Sequence, residues 1–236
     1  MKLNRNQLKY LAIIAMVIDH VGWAFVKTTS PLGFVMHFIG RLTGPIMGFM
    51  LAEGYLHTRN IKKYAFRMFL FTLISWAPFS LFEMRKFPTY RVGVIFTLWL
   101  GLLAVWMWDK AKIHKAFKII IIVIMCIVSV PVGDWPIFDI LWPLFLFIYR
   151  DDPKKKWISF TAIIAFEVFA ILGIAIAAKQ PMTQLFQIGA FMVPPLLIWG
   201  YNGEPGSRHP FHKWFFYVFY PAHLLAIWAI GVYLIH

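Results

Sequence analysis

Apolar runs of roughly twenty residues recur along the chain, separated by short polar stretches. That is the length a helix needs to cross ~30 Å of hydrocarbon. The pattern predicts spans near 8–27, 34–56, 64–83, 91–109, 116–132, 136–149, 157–178, 184–200 and 214–235. The sixth is short, so it either tilts or forms a hairpin with the fifth around Pro131 and Pro136. The expected fold is therefore all-α: a polytopic membrane helix bundle of about nine transmembrane helices, forming a single domain over 1–236.

Composition supports a lipid solvent. The chain is 61% hydrophobic, 14% charged and has a mean hydropathy of +0.70, too little charge to cover a water-soluble surface. A net charge of +13 would suggest nucleic acid in a soluble protein. Here the cations fall between apolar runs, which excludes that partner and reads as topology. With the N-terminus inside, the cytoplasmic segments hold 17 of the 23 Lys and Arg and the opposite side holds 5, with Arg41 inside a span. This bias predicts an N-in, C-out protein of the bacterial cytoplasmic membrane. Lys2, Arg5 and Lys9 ahead of Tyr10–Ile18 imitate a signal peptide, but Asp19 and His20 follow without a small-residue cleavage site, so the segment reads as a retained first helix. Cys126 is the sole cysteine and sits in an apolar run. It cannot form an intramolecular disulfide, and the eight scattered His show no zinc spacing. Neither a nucleophile elbow nor a phosphate-binding Gly-rich loop is present, and the halves do not read as inverted repeats.

Ionisable residues inside apolar spans are costly and tend to mark function. Asp19 and His20 lie toward the outer part of the first span. Adjacent helical residues point ~100° apart, so each needs its own partner, in a catalytic site or in a polar network of the bundle. His37 and Arg41, four apart, share one face of the second span. A short turn makes the first two spans antiparallel neighbours. An Asp19–Arg41 pair would then cancel both charges and leave His20 free, with His37 either in the site or merely at the interface. Glu53 and His57 share a face at the cytoplasmic end of the second span, just before Arg59, Lys62 and Lys63. They read either as a solvated helix end or as a site for an anionic ligand. His223 follows Pro221, which bends a helix by freeing a carbonyl. It either lines a cavity or is a hydrogen-bonded structural histidine. Glu167, mid-span, has no partner identifiable from sequence. Gly40, Gly44, Gly48 and Ala52 form a small-residue stripe suited to close helix approach.

Read together, Leu8–Gly22 (LKYLAIIAMVIDHVG), Ile39–Arg59 (IGRLTGPIMGFMLAEGYLHTR), Phe96–Asp109 (FTLWLGLLAVWMWD) and Tyr201–Leu225 (YNGEPGSRHPFHKWFFYVFYPAHLL) resemble the TraX family of membrane proteins. That family is associated with N-terminal acetylation of pilin and is similar to a wider group of transmembrane acyltransferases that use cytosolic acetyl-CoA. The resemblance implies a membrane acetyltransferase acting on an extracytoplasmic or membrane-embedded acceptor, a peptide N-terminus or a glycan hydroxyl or amine. It puts His20 at the catalytic position, with Asp19 and Arg41 beside it. Acetyl-CoA as acyl donor would use Glu53, His57, Arg59, Lys62, Lys63, Lys213 and His223; no metal is expected. One departure is Gly133–Phe138 (GDWPIF), where an Asp-Tyr-Gly-like element is expected, leaving Asp134 without a role. The alternatives are a proton-coupled transporter of a small anion, with Asp19, His20, Arg41 and Glu167 as relay, or a non-catalytic membrane subunit. The acceptor's identity, O- versus N-acetylation and the oligomeric state are not specified by sequence.

Overall fold

The computed structural model describes residues 2–207 and 209–235, the side chains of Pro181, Lys213, Leu234 and Ile235 excepted. Ten α-helices account for most of it: α1 (Arg5–Phe25), α2 (Pro31–Gly40), α3 (Thr43–His57), α4 (Ile61–Met84), α5 (Val94–Lys110), α6 (Lys115–Val132), α7 (Phe138–Ile148), α8 (Pro153–Ala177), α9 (Val193–Gly200) and α10 (Pro210–Ile235). A 3-10 stretch, Leu185–Met192, leads into α9. There is no strand among the described residues, only one isolated bridge between Leu3 and Tyr201.

Among the described residues, six stretches are long and apolar enough to cross a membrane: Arg5–Phe25, Pro31–His57, Ile61–Met84, Lys115–Val132, Pro153–Ala177 and Pro210–Tyr233. The others are shorter. The 11 residues of α7 rise only ~16 Å, about half a hydrocarbon core.

Helix starts follow local chemistry. Asn4 and Gln7 form a capping box on α1, and Ser30, Asn60 and Asp152 cap α2, α4 and α8. The second expected span is broken at Arg41–Leu42. Pro45 has no N–H to give the Arg41 carbonyl four residues back, so the ladder stops there. This break turns the chain where the Arg41 side chain meets α1.

The core has α3 at its centre. Ile46, Phe49 and Met50 pack with Leu8 and Ala12 of α1, Trp142 of α7 and Ile164 of α8, while Leu51 and Tyr55 face α4, α5 and α7. By contrast α6 is peripheral, with only 11% of its apolar window buried.

Contacts also define two ends of the bundle. At the N-terminal end, Leu3 N–H donates to Gly200 O at 2.6 Å, Arg5 N–H donates to Glu204 O at 2.8 Å, and Tyr55 donates its hydroxyl proton to Asp109 at 2.6 Å. At the opposite end, Val92 N–H donates to Val132 O at 2.7 Å and Thr97 donates to Asp139 at 2.6 Å.

The glycine stripe serves three neighbours in turn. A Cβ at Gly40 would collide with the Asp19 carboxyl, one at Gly44 would stand 2.6 Å from the Trp135 ring, and one at Gly48 would stand 3.0 Å from Trp142. The close approaches are thus of side chains from α1, the α6–α7 loop and α7. Gly40→Val should therefore lower stability by about 1–3 kcal/mol through overpacking. Gly173→Ala, where a Cβ meets nothing within 4 Å, should raise it slightly by its helix propensity. Thermal unfolding in detergent compares the two; equal melting temperatures would contradict the packing role of Gly40.

Candidate functional site

Seating against Gly40 brings the Asp19 carboxylate within reach of two donors on the next helix turn. His37 Nδ1–H donates to Oδ1 at 2.8 Å and Arg41 Nη2 donates to Oδ2 at 2.7 Å. All three residues are buried: His37 fully, Asp19 at 7% and Arg41 at 8% exposure. The Arg41 guanidinium lies over Trp135 (4.7 Å) and Phe186 (5.3 Å), and the His37 ring packs between Trp23 and Phe186. Pairing with Asp19 engages Arg41 Nη2, whereas Arg41 Nε is buried with no hydrogen-bond partner among the described residues.

The adjacent residue, His20, turns to a different face and meets α10. His20 Nδ1 lies 2.8 Å from His223 Nε2, and His223 Nδ1 lies 2.9 Å from the Phe219 carbonyl. A carbonyl only accepts, so His223 Nδ1 carries a proton. For a neutral His223, Nε2 is then the acceptor for His20 Nδ1–H. The chain of donors leaves His20 Nε2 as the bare, basic nitrogen.

A single cavity of about 1100 Å³ includes His20, Asp19 and Arg41 in its lining and reaches both ends of the bundle. Its charge is divided. Toward the N-terminal end the lining carries Arg5, Lys9 and Arg67 with His57, His209 and His212. Every Asp and Glu among the described lining residues (Asp19, Glu83, Asp134 and Glu167) belongs to the other half, beside Arg41 and Arg85. Glu83 and Asp134 share Arg91, at 3.0 and 4.0 Å. In the α6–α7 loop, burial, followed by the Glu83 charge, pushes the Asp134 carboxyl up to about 7. Glu167 Oε2 and Gln187 Oε1 are buried acceptors with no donor among the described residues.

The sequence-derived residues separate into groups. Asp19, His20, Arg41 and His57 line the cavity. His223 stands behind His20 and is absent from the lining. Glu53 is engaged by Arg5 (3.4 Å) and Tyr201 (3.4 Å), also off the lining. Arg59, Lys62 and Lys63 are exposed outside the cavity, and the Lys213 side chain lies outside the described residues. Sequence reasoning missed Trp135, Gln187 and the joining of Glu83, Arg91 and Asp134 into one cluster; these three charges sit at loops and a helix end, where polar residues carry no membrane signal. It read Lys9 and Arg67 only as topology charges.

No solved structure matches the chain. A curated relative from Dichelobacter nodosus, "Probable fimbrial assembly protein FimC, serogroup H1", is 32% identical over 237 residues, covering 97% of this chain and 96% of its own. The model of the family described as TraX protein matches residues 4–231. With that match running through every helix that builds the cavity, the chain belongs to the TraX protein family.

Proposed function

We propose that the protein is an integral membrane acetyltransferase of the bacterial cytoplasmic membrane, moving acetyl from cytosolic acetyl-CoA to an extracytoplasmic or membrane-embedded acceptor. The observation that carries this reading is the cavity: it reaches both ends, is cationic at one and acidic at the other, and holds His20 with a bare Nε2 between them. A donor and an acceptor entering from opposite sides would meet there without either crossing the membrane.

The 17 to 5 charge bias supports an inside N-terminus. The nine apolar runs alternate between the two ends defined by Leu3–Gly200 and Val92–Val132, which favours nine passes and is silent on which end is cytoplasmic. The short α7 would lie within the bundle against α5 and α3.

In the reaction, His20 Nε2 accepts the proton of the acceptor hydroxyl or amine while the acceptor atom attacks the acetyl carbonyl. The new C–O or C–N bond forms, the C–S bond breaks, and the proton passes from His20 to the leaving thiolate. Arg41 lines the cavity, and its Nη1, which takes no part in the Asp19 pair, is the donor left for the developing oxyanion, so neutralising Asp19 through Nη2 and assisting the reaction need not compete. The relative named for fimbrial assembly favours a peptide acceptor such as a pilin N-terminus over a glycan. One observation favours the transporter alternative, namely that the cavity lining reaches both ends; transfer measurements decide between them.

Two outcomes are expected. In a Cys126→Ser background, Lys62→Cys should be labelled by an impermeant thiol reagent only after cells are opened, and Lys179→Cys in intact cells; the reverse pattern would refute the orientation. Separately, His20→Ala should lower acetyl transfer at least ~100-fold while CoA affinity stays within about threefold, worth only ~0.65 kcal/mol. His223→Ala should slow transfer less, and His223→Gln, whose amide oxygen can still accept from His20 Nδ1–H, less again. Near wild-type transfer by a folded His20→Ala protein would disprove the assignment.

A further inference from the structure

Lys9 and Arg67 stand apart from the other cations of the chain. Most Lys and Arg outside the spans are exposed, as Arg59, Lys62 and Lys63 are. Lys9 is on the second turn of α1 and Arg67 on the second turn of α4, and both line the cavity. A cation placed only to set topology would face the lipid headgroups. Among the described residues neither has a carboxylate within 4.0 Å, whereas Arg5 is bridged to Glu53 and Arg41 to Asp19.

Adjacent residues of α10 hold the pair in place. Lys9 Nζ lies 5.1 Å from the centre of the Phe216 ring, and Arg67 interacts with the Tyr217 hydroxyl. Phe216 and Tyr217 are consecutive, so the two cations sit at nearly one depth. Arg67 is also over the Tyr64 ring at 5.6 Å, and its Nε is buried with no hydrogen-bond partner among the described residues, which leaves the Nη end to face the cavity. A guanidinium with no carboxylate partner presents an Nη fork suited to phosphate oxygens, and an ammonium lining the same cavity supplies a point charge. Lys9 and His20 are eleven residues apart on α1, or ~16 Å by helix rise. A ligand held at Lys9 and Arg67 would therefore need an extended arm to reach His20 Nε2.

We infer that Lys9 and Arg67 form an organic-diphosphate site inside the cavity, which holds the diphosphate of the acyl donor while its arm runs along α1 toward His20. The assignment to the donor rests on the acetyltransferase reading; the anion site itself does not. It replaces the exposed Lys62 and Lys63 as the phosphate contacts.

Binding to the purified full-length protein in detergent tests this, with inorganic pyrophosphate, CoA and pantetheine as probes. Lys9→Gln and Arg67→Gln should each weaken pyrophosphate and CoA about tenfold and leave pantetheine unchanged. Arg67→Lys, which keeps charge and packing but loses the fork, should fall between, and it serves as the readout if Arg67→Gln does not fold. Lys62→Gln with Lys63→Gln should stay within twofold of wild type. Unchanged pyrophosphate binding in the Lys9 and Arg67 variants overturns the site, as does equal weakening by the Lys62 and Lys63 changes. Pyrophosphate binding that depends on Lys9 and Arg67, with no binding of CoA, supports the site and removes the acetyl-CoA reading. Competition against pyrophosphate by phosphatidylglycerol in mixed micelles, with none by CoA, would assign the pair to a lipid headgroup and overturn the donor assignment.

Discussion

Everything around the site depends on cancelling one negative charge that is largely buried within an apolar bundle. The Asp19 carboxylate is 7% exposed, and an unpaired charge there would cost several kcal/mol. His37 and Arg41 take one oxygen each, and the surrounding structure serves that geometry. Gly40 leaves room for the carboxyl, the helix break at Arg41–Leu42 directs the guanidinium, and Trp135 and Phe186 cover it. Because Asp19 is fixed this way, the next residue along the helix must point elsewhere, and that direction carries His20 to α10.

Two stacked arrangements therefore share one stretch of α1. The Asp19 cluster is closed and electrostatically settled, with its partners in the adjacent α2 and its turn. The His20 pair is open on one side: a backbone carbonyl sets the proton on His223, His223 sets the proton on His20, and the last nitrogen has no partner among the described residues. The distinction separates charges that are paired within the protein from a histidine whose second nitrogen is left to the cavity. It also explains why His223, although buried and polar, is off the cavity surface: its contact is with a catalytic candidate.

Much of the helical outline was legible because lipid imposes a simple length rule, and each apolar run has a helical counterpart. The face shared by His37 and Arg41 was legible from their spacing of four, and so was the contact of Arg41 with Asp19 once the two spans were taken as neighbours. Pro45 carried the signal for the break that periodicity alone ran through. What could not be read was which way a residue faces. Lys9 and Arg67 look like topology charges from sequence, since periodicity in a span hydrophobic all round does not tell lipid from cavity. The His20–His223 contact joins residues 203 apart, and nothing local specifies which of several helices packs against α1. The Glu83–Arg91–Asp134 cluster was invisible for another reason: charges near loops are ordinary until two connections, α4–α5 and α6–α7, are brought together.

That long separation bears on how the protein comes into being. The helix that carries His20, α1, is synthesised about two hundred residues before α10, which carries its partner. Leu3 and Arg5 are likewise tied to Gly200 and Glu204, in the segment just ahead of α10. Contacts between the two ends of a chain are slow to form and cannot precede synthesis of both. Every nascent or truncated form thus has an unfinished cavity wall and a histidine without its orienting neighbour. The wall of the cavity and the contact that orients His20 are therefore completed only once α10 is in place.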